Sequence, residues 1–196
     1  LNYSLEREDS VQPGMIRVPG GEFSLTIPGL DHLTAVQLDD YWIDKNEVTN
    51  EQFKAFVDAG GSQKREYWKH EFVKEGQIVT WEEAVTEFVD SSGRPGPSTW
   101  ELSDYPDGQH DYPVTGISWY EASAYAEYVG KSLPTIFHWN RVAEGWMSDA
   151  IVPLSNFNGR DPAPVGRHQG ISAYGAYDMA GNAREWCWNE DDRHGR

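Results

Sequence analysis

The sequence predicts an α+β fold, short on regular structure and long on loops. Three observations lead there. Two early stretches alternate apolar and polar residues, four later ones carry apolar residues at helical spacing behind capping residues, and long Gly-, Pro- and Asp-rich segments separate them. A length of 196 residues suits one domain. Residues 1–14 read as a linker or N-terminal extension, and 15–196 as the domain.

MIRVPGGEFSL (15–25) alternates on either side of a Pro-Gly-Gly and reads as a β-hairpin. AVQLDDYWIDKNEV (35–48) continues in that style, with Val36, Leu38, Trp42 and Ile43 apolar. The period then changes. Thr49 to Gln52 forms a capping box, followed by Phe53, Phe56 and Val57 and stopped by Gly60-Gly61. Thr80 to Glu83 opens a second helix with Ala84, Val85, Phe88 and Val89 on one face. Ser118 to Glu121 opens a third, with Ala122, Tyr125, Ala126 and Val129 inward and Gly130 just past its end. Thr135 caps a fourth, whose apolar positions are Phe137, Trp139, Val142 and Ala143. The segment 90–116 has the length of a functional loop or an insertion; within it, two prolines and Trp100 make 92–102 an ordered loop over the core.

Charge and composition exclude several functions. Sixteen Lys and Arg against 32 Asp and Glu give a net charge of -16. That field repels phosphate backbones and anionic membranes and attracts cations, so nucleic acid is not an expected partner. No apolar run approaches the ~18 residues of a membrane span, so direct insertion of this segment is not expected. LNYSLEREDS has no visible signal peptide. One cysteine excludes an internal disulfide and any multi-thiolate zinc site.

Catalytic signatures are sparse. The six histidines include no HExxH, HxH or i,i+4 pair, and no G-x-S-x-G is present. VPGGEF lacks the Lys-Ser/Thr of a phosphate loop and reads as a turn. Asp90 and Asp104 flank GRPGP as an acid/base pair or, by default, as solvated loop carboxylates. Cys187, between Trp186 and Trp188 and close to Glu185 and Glu190, reads as a small buried hydrophobe with a raised thiol pKa. In YDMAGNAREWCWNE (177–190), Asp178, the carbonyls of Gly181 and Ala183, and Glu185 lie within eight residues. Such mixed oxygen sets suit calcium, which takes about six to eight ligands. Spacing alone favours the plainer alternative, in which Asp178 caps a turn and Glu185 sits on the surface.

EVTNEQFKAFV (47–57), PVTGISWYEASAYAEYVGKSLPT (113–135), HWNRVAEG (138–145) and YGAYDMAGNAREW (174–186) resemble, in order, the motifs of the formylglycine-generating enzyme (sulfatase-modifying factor) family. The resemblance implies a variant of the C-type-lectin-like fold. It also implies a structural Ca2+ held by Asp178, Gly181, Ala183 and Glu185. A second family calcium site is not assigned, although Asn156 and Phe157 stand where it begins. GMIRVPGGEF, IPGLDHL, YWKHEFVKEG and SGRPGPSTWEL look like the version attached to bacterial serine/threonine kinases. That places the domain in the cytoplasmic or extracytoplasmic part of a bacterial multidomain protein.

Family oxidases bind Cu(I) through two cysteines beyond an Arg-Gly-Gly-Ser-Trp segment, and soft thiolates are what Cu(I) requires. These residues stop short of that segment and Cys187 matches neither position, so the domain is expected to be C-terminally incomplete. Copper is expected only if a further segment carries the pair. The iron-dependent sulfoxide synthases of the same family take their histidines from an extra helical domain, for which no counterpart exists here. The first expectation is therefore a non-catalytic ligand-binding or sensing module of a kinase, meeting its ligand or protein partner through the 90–116 loop. The alternative is a copper-dependent oxidase converting peptidyl cysteine to formylglycine.

Overall fold

A long antiparallel ribbon opens the fold. In the computed structural model, which describes residues 12–30, 32–143, 148–157 and 159–189, β1 (Met15–Val18) pairs with β4 (Tyr41–Asp44), and β2 (Gly21–Phe23) pairs with β3 (Val36–Leu38). Met15 faces Asp44, Val18 faces Tyr41 and Gly21 faces Leu38, so one register runs through both pairs. The interruption falls at Pro19-Gly20. Proline has no N–H to give the ladder. The Gly20 N–H turns instead to Asp40 Oδ1 at 2.8 Å, and a Cβ on Gly20 would stand 2.3 Å from the Leu38 carbonyl oxygen. Arg17 pairs with the same Asp40 carboxylate. The hairpin expected within 15–25 does not form, because both halves find their partners in 36–44. Residues 1–11 of the expected linker, together with Glu190 and residues 191–196, lie outside the described residues.

All three capping boxes form. Thr49 caps α1 (Asn50–Asp58), Thr80 caps α2 (Trp81–Ala84) and Ser118 caps α3 (Trp119–Tyr128), each with a reciprocal bond from the third helical residue. The second helix is shorter than its apolar spacing suggests. It tightens into a 3-10 turn at Val85–Glu87, so Phe88 leaves the helix and stacks on Trp68 at 5.0 Å. A hairpin of β5 (Phe72–Lys74) and β6 (Gln77–Val79) precedes it, and α4 (Ile136–Ala143) and α5 (Ser148–Ile151) follow α3. The mixture of helices and two-stranded sheets is α+β.

Two apolar clusters organise these elements. Phe53, Phe56, Trp68, Phe72, Ala84, Trp100 and Ala124 form the larger one. Val18, Val142, Ala176 and Met179 form the other, which ties the ribbon and α4 to the chain just before Gly181. The segment 90–116 closes over the larger cluster. Its centre is Asp90, only 4% exposed, whose carboxylate accepts from the Ser92 N–H and Oγ, the Arg94 N–H and the Ser103 N–H. Burial pushes this carboxyl up, but the hydrogen bonds outweigh it and hold it at about 2. Asp90 is thus not a solvated loop carboxylate. Asp104 remains exposed and accepts from the Tyr105 N–H. Each carboxylate serves the backbone of its own loop.

Glu121, the capping-box carboxylate of α3, is 7% exposed. Burial lifts its carboxyl to about 7, against hydrogen bonds from the Ser118 N–H and Oγ. A folded pKa above the unfolded 4.5 gives a stabilisation fully present below about pH 4.5 and lost as pH rises through about 7. Glu121→Gln keeps an acceptor for Ser118 but does not ionise. Its melting temperature is expected to fall less than that of the wild type between about pH 4.5 and pH 8. Parallel melting curves for the two proteins across that range would show that this carboxyl does not titrate there.

Candidate functional site

The 178–185 turn is strained and cross-braced. Asp178, Gly181 and Asn182 all have positive φ, at 58°, 117° and 65°. At Gly181 this is a requirement, since a Cβ would lie 2.6 Å from the Asn156 carbonyl oxygen. Upstream, the Tyr177 N–H donates to the Lys45 carbonyl at 2.9 Å, which fastens the turn to the end of the ribbon. Downstream, the Trp186 indole donates to the Ile117 carbonyl, the Trp119 indole donates to the Cys187 carbonyl, and the Trp188 N–H donates to the Pro134 carbonyl. Residues 186–188 thereby form a strap across the N-terminal ends of α3 and α4.

Asp178 is 3% exposed. Its Oδ2 accepts from the Gly166 N–H at 2.7 Å, a bond across loops rather than the local turn cap. Its Oδ1 is buried and has no hydrogen-bond partner among the described residues. A buried carboxylate oxygen left in that state costs about 1–3 kcal/mol or more. Glu185 accepts from the Trp139 indole N–H. It meets solvent where it faces a cavity, while the protein crowds its other sides. That crowding lifts its carboxyl to about 7, opposed by the Trp139 bond and assisted by the Asp178 charge.

A third acidic group, missed in the sequence reading, completes the neighbourhood. Glu47 lies between the ribbon and α1, and its two oxygens accept from the Ala183 N–H at 2.9 Å and the Asn182 amide at 2.6 Å. Burial raises its carboxyl to about 8; the Asn182 bond opposes this and the charges of Glu185 and Asp178 add to it. Its only signal in the sequence was a carboxylate inside the quoted EVTN motif. Among the described residues, no three His, Cys, Asp or Glu side chains approach closely enough to hold one ion together. An ion here would therefore rest on two carboxylates and backbone carbonyls, the kind of set expected from 178–185.

This turn forms part of the wall of an open cavity of about 1110 Å³, whose lining is mostly apolar. Glu47, Glu185, Trp186 and Trp188 line it, and Thr115 and Gly116 bring the end of segment 90–116 to the same space. Trp186 and Trp188 are 45% and 43% exposed. Cys187, between them, is half-buried and does not line the cavity. Burial first, and then Glu185, push its thiol up to about 11, the poor nucleophile expected. Of the residues where a second calcium site would begin, Asn156 is committed to Asp161 and Asn182, while Phe157 is exposed.

The Sulfatase-modifying factor enzyme 1-like domain matches residues 3–196, and the chain belongs to that family. It is 33% identical over 185 residues to the serine/threonine-protein kinase pkn1 of Chlamydia pneumoniae, covering 88% of this chain and 27% of the kinase. It is 30% identical over 234 residues to the formylglycine-generating enzyme of Thermomonospora curvata, covering 92% of this chain and 74% of that enzyme. The hercynine oxygenase of Mycolicibacterium smegmatis is 29% identical over 209 residues, covering 87% of this chain and 44% of that protein. The chain thus spans less than a third of the kinase's length. Among the described residues no helix is long and apolar enough to cross a membrane.

Proposed function

We propose that this is a non-catalytic binding or sensing module of a bacterial serine/threonine kinase, built on a C-type-lectin-like scaffold and carrying a structural calcium ion. The observation that carries the non-catalytic reading is that the chain's one thiol does not line its large cavity. Cu(I) requires soft ligands, and these residues offer one raised thiol turned elsewhere. What the cavity offers instead is an apolar, aromatic-edged concavity with a few polar groups, the usual form of a ligand site. The 90–116 segment, braced by Asp90 and reaching the rim, is the surface on which a ligand or partner would be selected. The similarity to pkn1 supports the attachment to a kinase.

Calcium fits the turn on the evidence of Asp178. Its orphaned Oδ1, the Glu185 carboxylate and the carbonyls of Gly181 and Ala183 are hard oxygen donors of the kind calcium accepts. A bound ion would fix the turn and, through it, the strap at 186–188.

The second reading is the copper-dependent oxidase, favoured by the similarity to the Thermomonospora curvata enzyme. It would need its cysteine pair from a segment outside these residues. Incubation of the chain with a cysteine-containing sulfatase-motif peptide, copper and oxygen separates the two. The peptide is expected to keep its mass, and conversion to formylglycine dependent on this protein, seen by mass spectrometry, would overturn the non-catalytic reading.

A further inference from the structure

Glu47 reaches the 178–185 turn from a different part of the chain and holds it at two points. Its own backbone neighbourhood is fixed on both sides: the Lys45 N–H donates to the Gly14 carbonyl, and the Val114 N–H donates to the Val48 carbonyl. From this base its carboxylate takes the Ala183 N–H and the Asn182 side-chain amide. Asn182 is the hub of the turn. Its Oδ1 accepts from the Ala163 N–H at 2.8 Å and from Asn156 Nδ2 at 3.0 Å, while its backbone N–H donates to the Asn156 carbonyl at 3.2 Å.

These bonds set the planes of two successive peptides, 181–182 and 182–183. An amide is planar and trans, so its C=O points opposite to its N–H. The Asn182 N–H directed at Asn156 turns the Gly181 carbonyl away from Asn156. The Ala183 N–H directed at Glu47 turns the Asn182 carbonyl away from Glu47. Both of Glu47's oxygens already accept hydrogen bonds, and no three acidic side chains among the described residues are near enough to share an ion.

We infer that Glu47 is the positioning carboxyl group of the calcium turn: it binds the 182–183 peptide and the Asn182 side chain from outside the ligand set, and so fixes the residue that links the two ligand carbonyls, those of Gly181 and Ala183. The inference rests on the calcium reading of Asp178, Gly181, Ala183 and Glu185. Groups in this outer position typically alter metal affinity about 10–100-fold when replaced.

The test uses the 196-residue chain with Tb3+, a calcium substitute, excited through Trp139, whose indole bonds Glu185 directly. Glu47→Gln is nearly isosteric, but in either orientation its amide nitrogen would confront a donor, the Asn182 amide or the Ala183 N–H. Asn182 cannot turn over to accept it without losing Ala163 and Asn156. E47Q is expected to weaken Tb3+ and Ca2+ binding about tenfold or more. Its bound Tb3+ should also show a shorter luminescence lifetime, because water replaces a displaced carbonyl. A purely structural role would lower the melting temperature of the chelated chain and leave the lifetime unchanged. If E47Q does not fold, Glu47→Asp, which withdraws the carboxyl group by one methylene, carries the same expectation. Wild-type affinity and lifetime in the folded variant would overturn the inference and leave the calcium site standing. No sensitised emission and no calcium response in the wild type would overturn both.

Discussion

Trp100→Ala is expected to destabilise the domain by about 3–5 kcal/mol, the usual range for removing a buried aromatic side chain from a core. Trp100 is 1% exposed and packs edge-on against Phe53 at 6.1 Å and Tyr105 at 5.6 Å. Its indole N–H donates to Asn50 Oδ1 at 3.0 Å, and Asn50 Nδ2 in turn donates to the Gln109 carbonyl at 2.9 Å. The same loop satisfies the first N–H groups of α1, since the Asn50 N–H reaches the Tyr112 carbonyl and the Glu51 N–H the His110 carbonyl. Truncation would open a cavity and orphan the Asn50 acceptor together. At roughly 2–4 °C per kcal/mol for a domain of this size, the melting temperature should drop by about 10 °C. Trp100→Phe should recover much of the loss, because it restores the apolar contact but not the indole donor. An unchanged melting temperature with rapid amide exchange throughout 92–102 would instead show a free tether.

The helix starts were legible because capping is local chemistry. Thr49, Thr80 and Ser118 each bond a backbone N–H three residues on, and nothing distant needs to cooperate. The burial of Trp100 was legible from its size and its flanking prolines. What failed was partnership. Pro19-Gly20-Gly21 looks like a turn in isolation, but residues 36–44 offer a longer match, and proline merely interrupts the ladder. The β5–β6 hairpin passed unread because HEFVKEGQIVT alternates weakly and leaves Val73 and Ile78 exposed. The site shows the same division. Asp178, Gly181, Ala183 and Glu185 are neighbours in sequence and form a recognisable motif. Glu47 is 136 residues from Ala183, and only the fold brings them to 2.9 Å. Asp90 was misread for a related reason: four donors from its own loop converge on one carboxylate, which composition does not reveal.

Calcium is expected to raise the melting temperature of the wild-type chain, and a chelator to lower it. A ligand that binds only the folded state adds RT ln(1 + [L]/Kd), about 2.7 kcal/mol at a hundredfold excess over Kd. At roughly 2–4 °C per kcal/mol this amounts to about 5–10 °C. Asp178→Ala should abolish the response, since it removes the orphaned Oδ1 together with its charge. Because that change also removes the acceptor for the Gly166 N–H, Asp178→Asn is the cleaner comparison. It retains an oxygen for Gly166 and loses the charge, so its chelated form should melt near the wild type while its calcium response largely disappears. Asp104→Asn, on an exposed loop, should keep the full response. Magnesium should substitute poorly, because it demands tight octahedral geometry and gives up its waters reluctantly, whereas this set mixes side-chain and carbonyl oxygens on a strained turn. If chelation leaves the wild-type melting curve unmoved, Asp178 does not hold calcium. Its buried Oδ1 would then be met by water, and its role would be confined to fastening Gly166 to the turn.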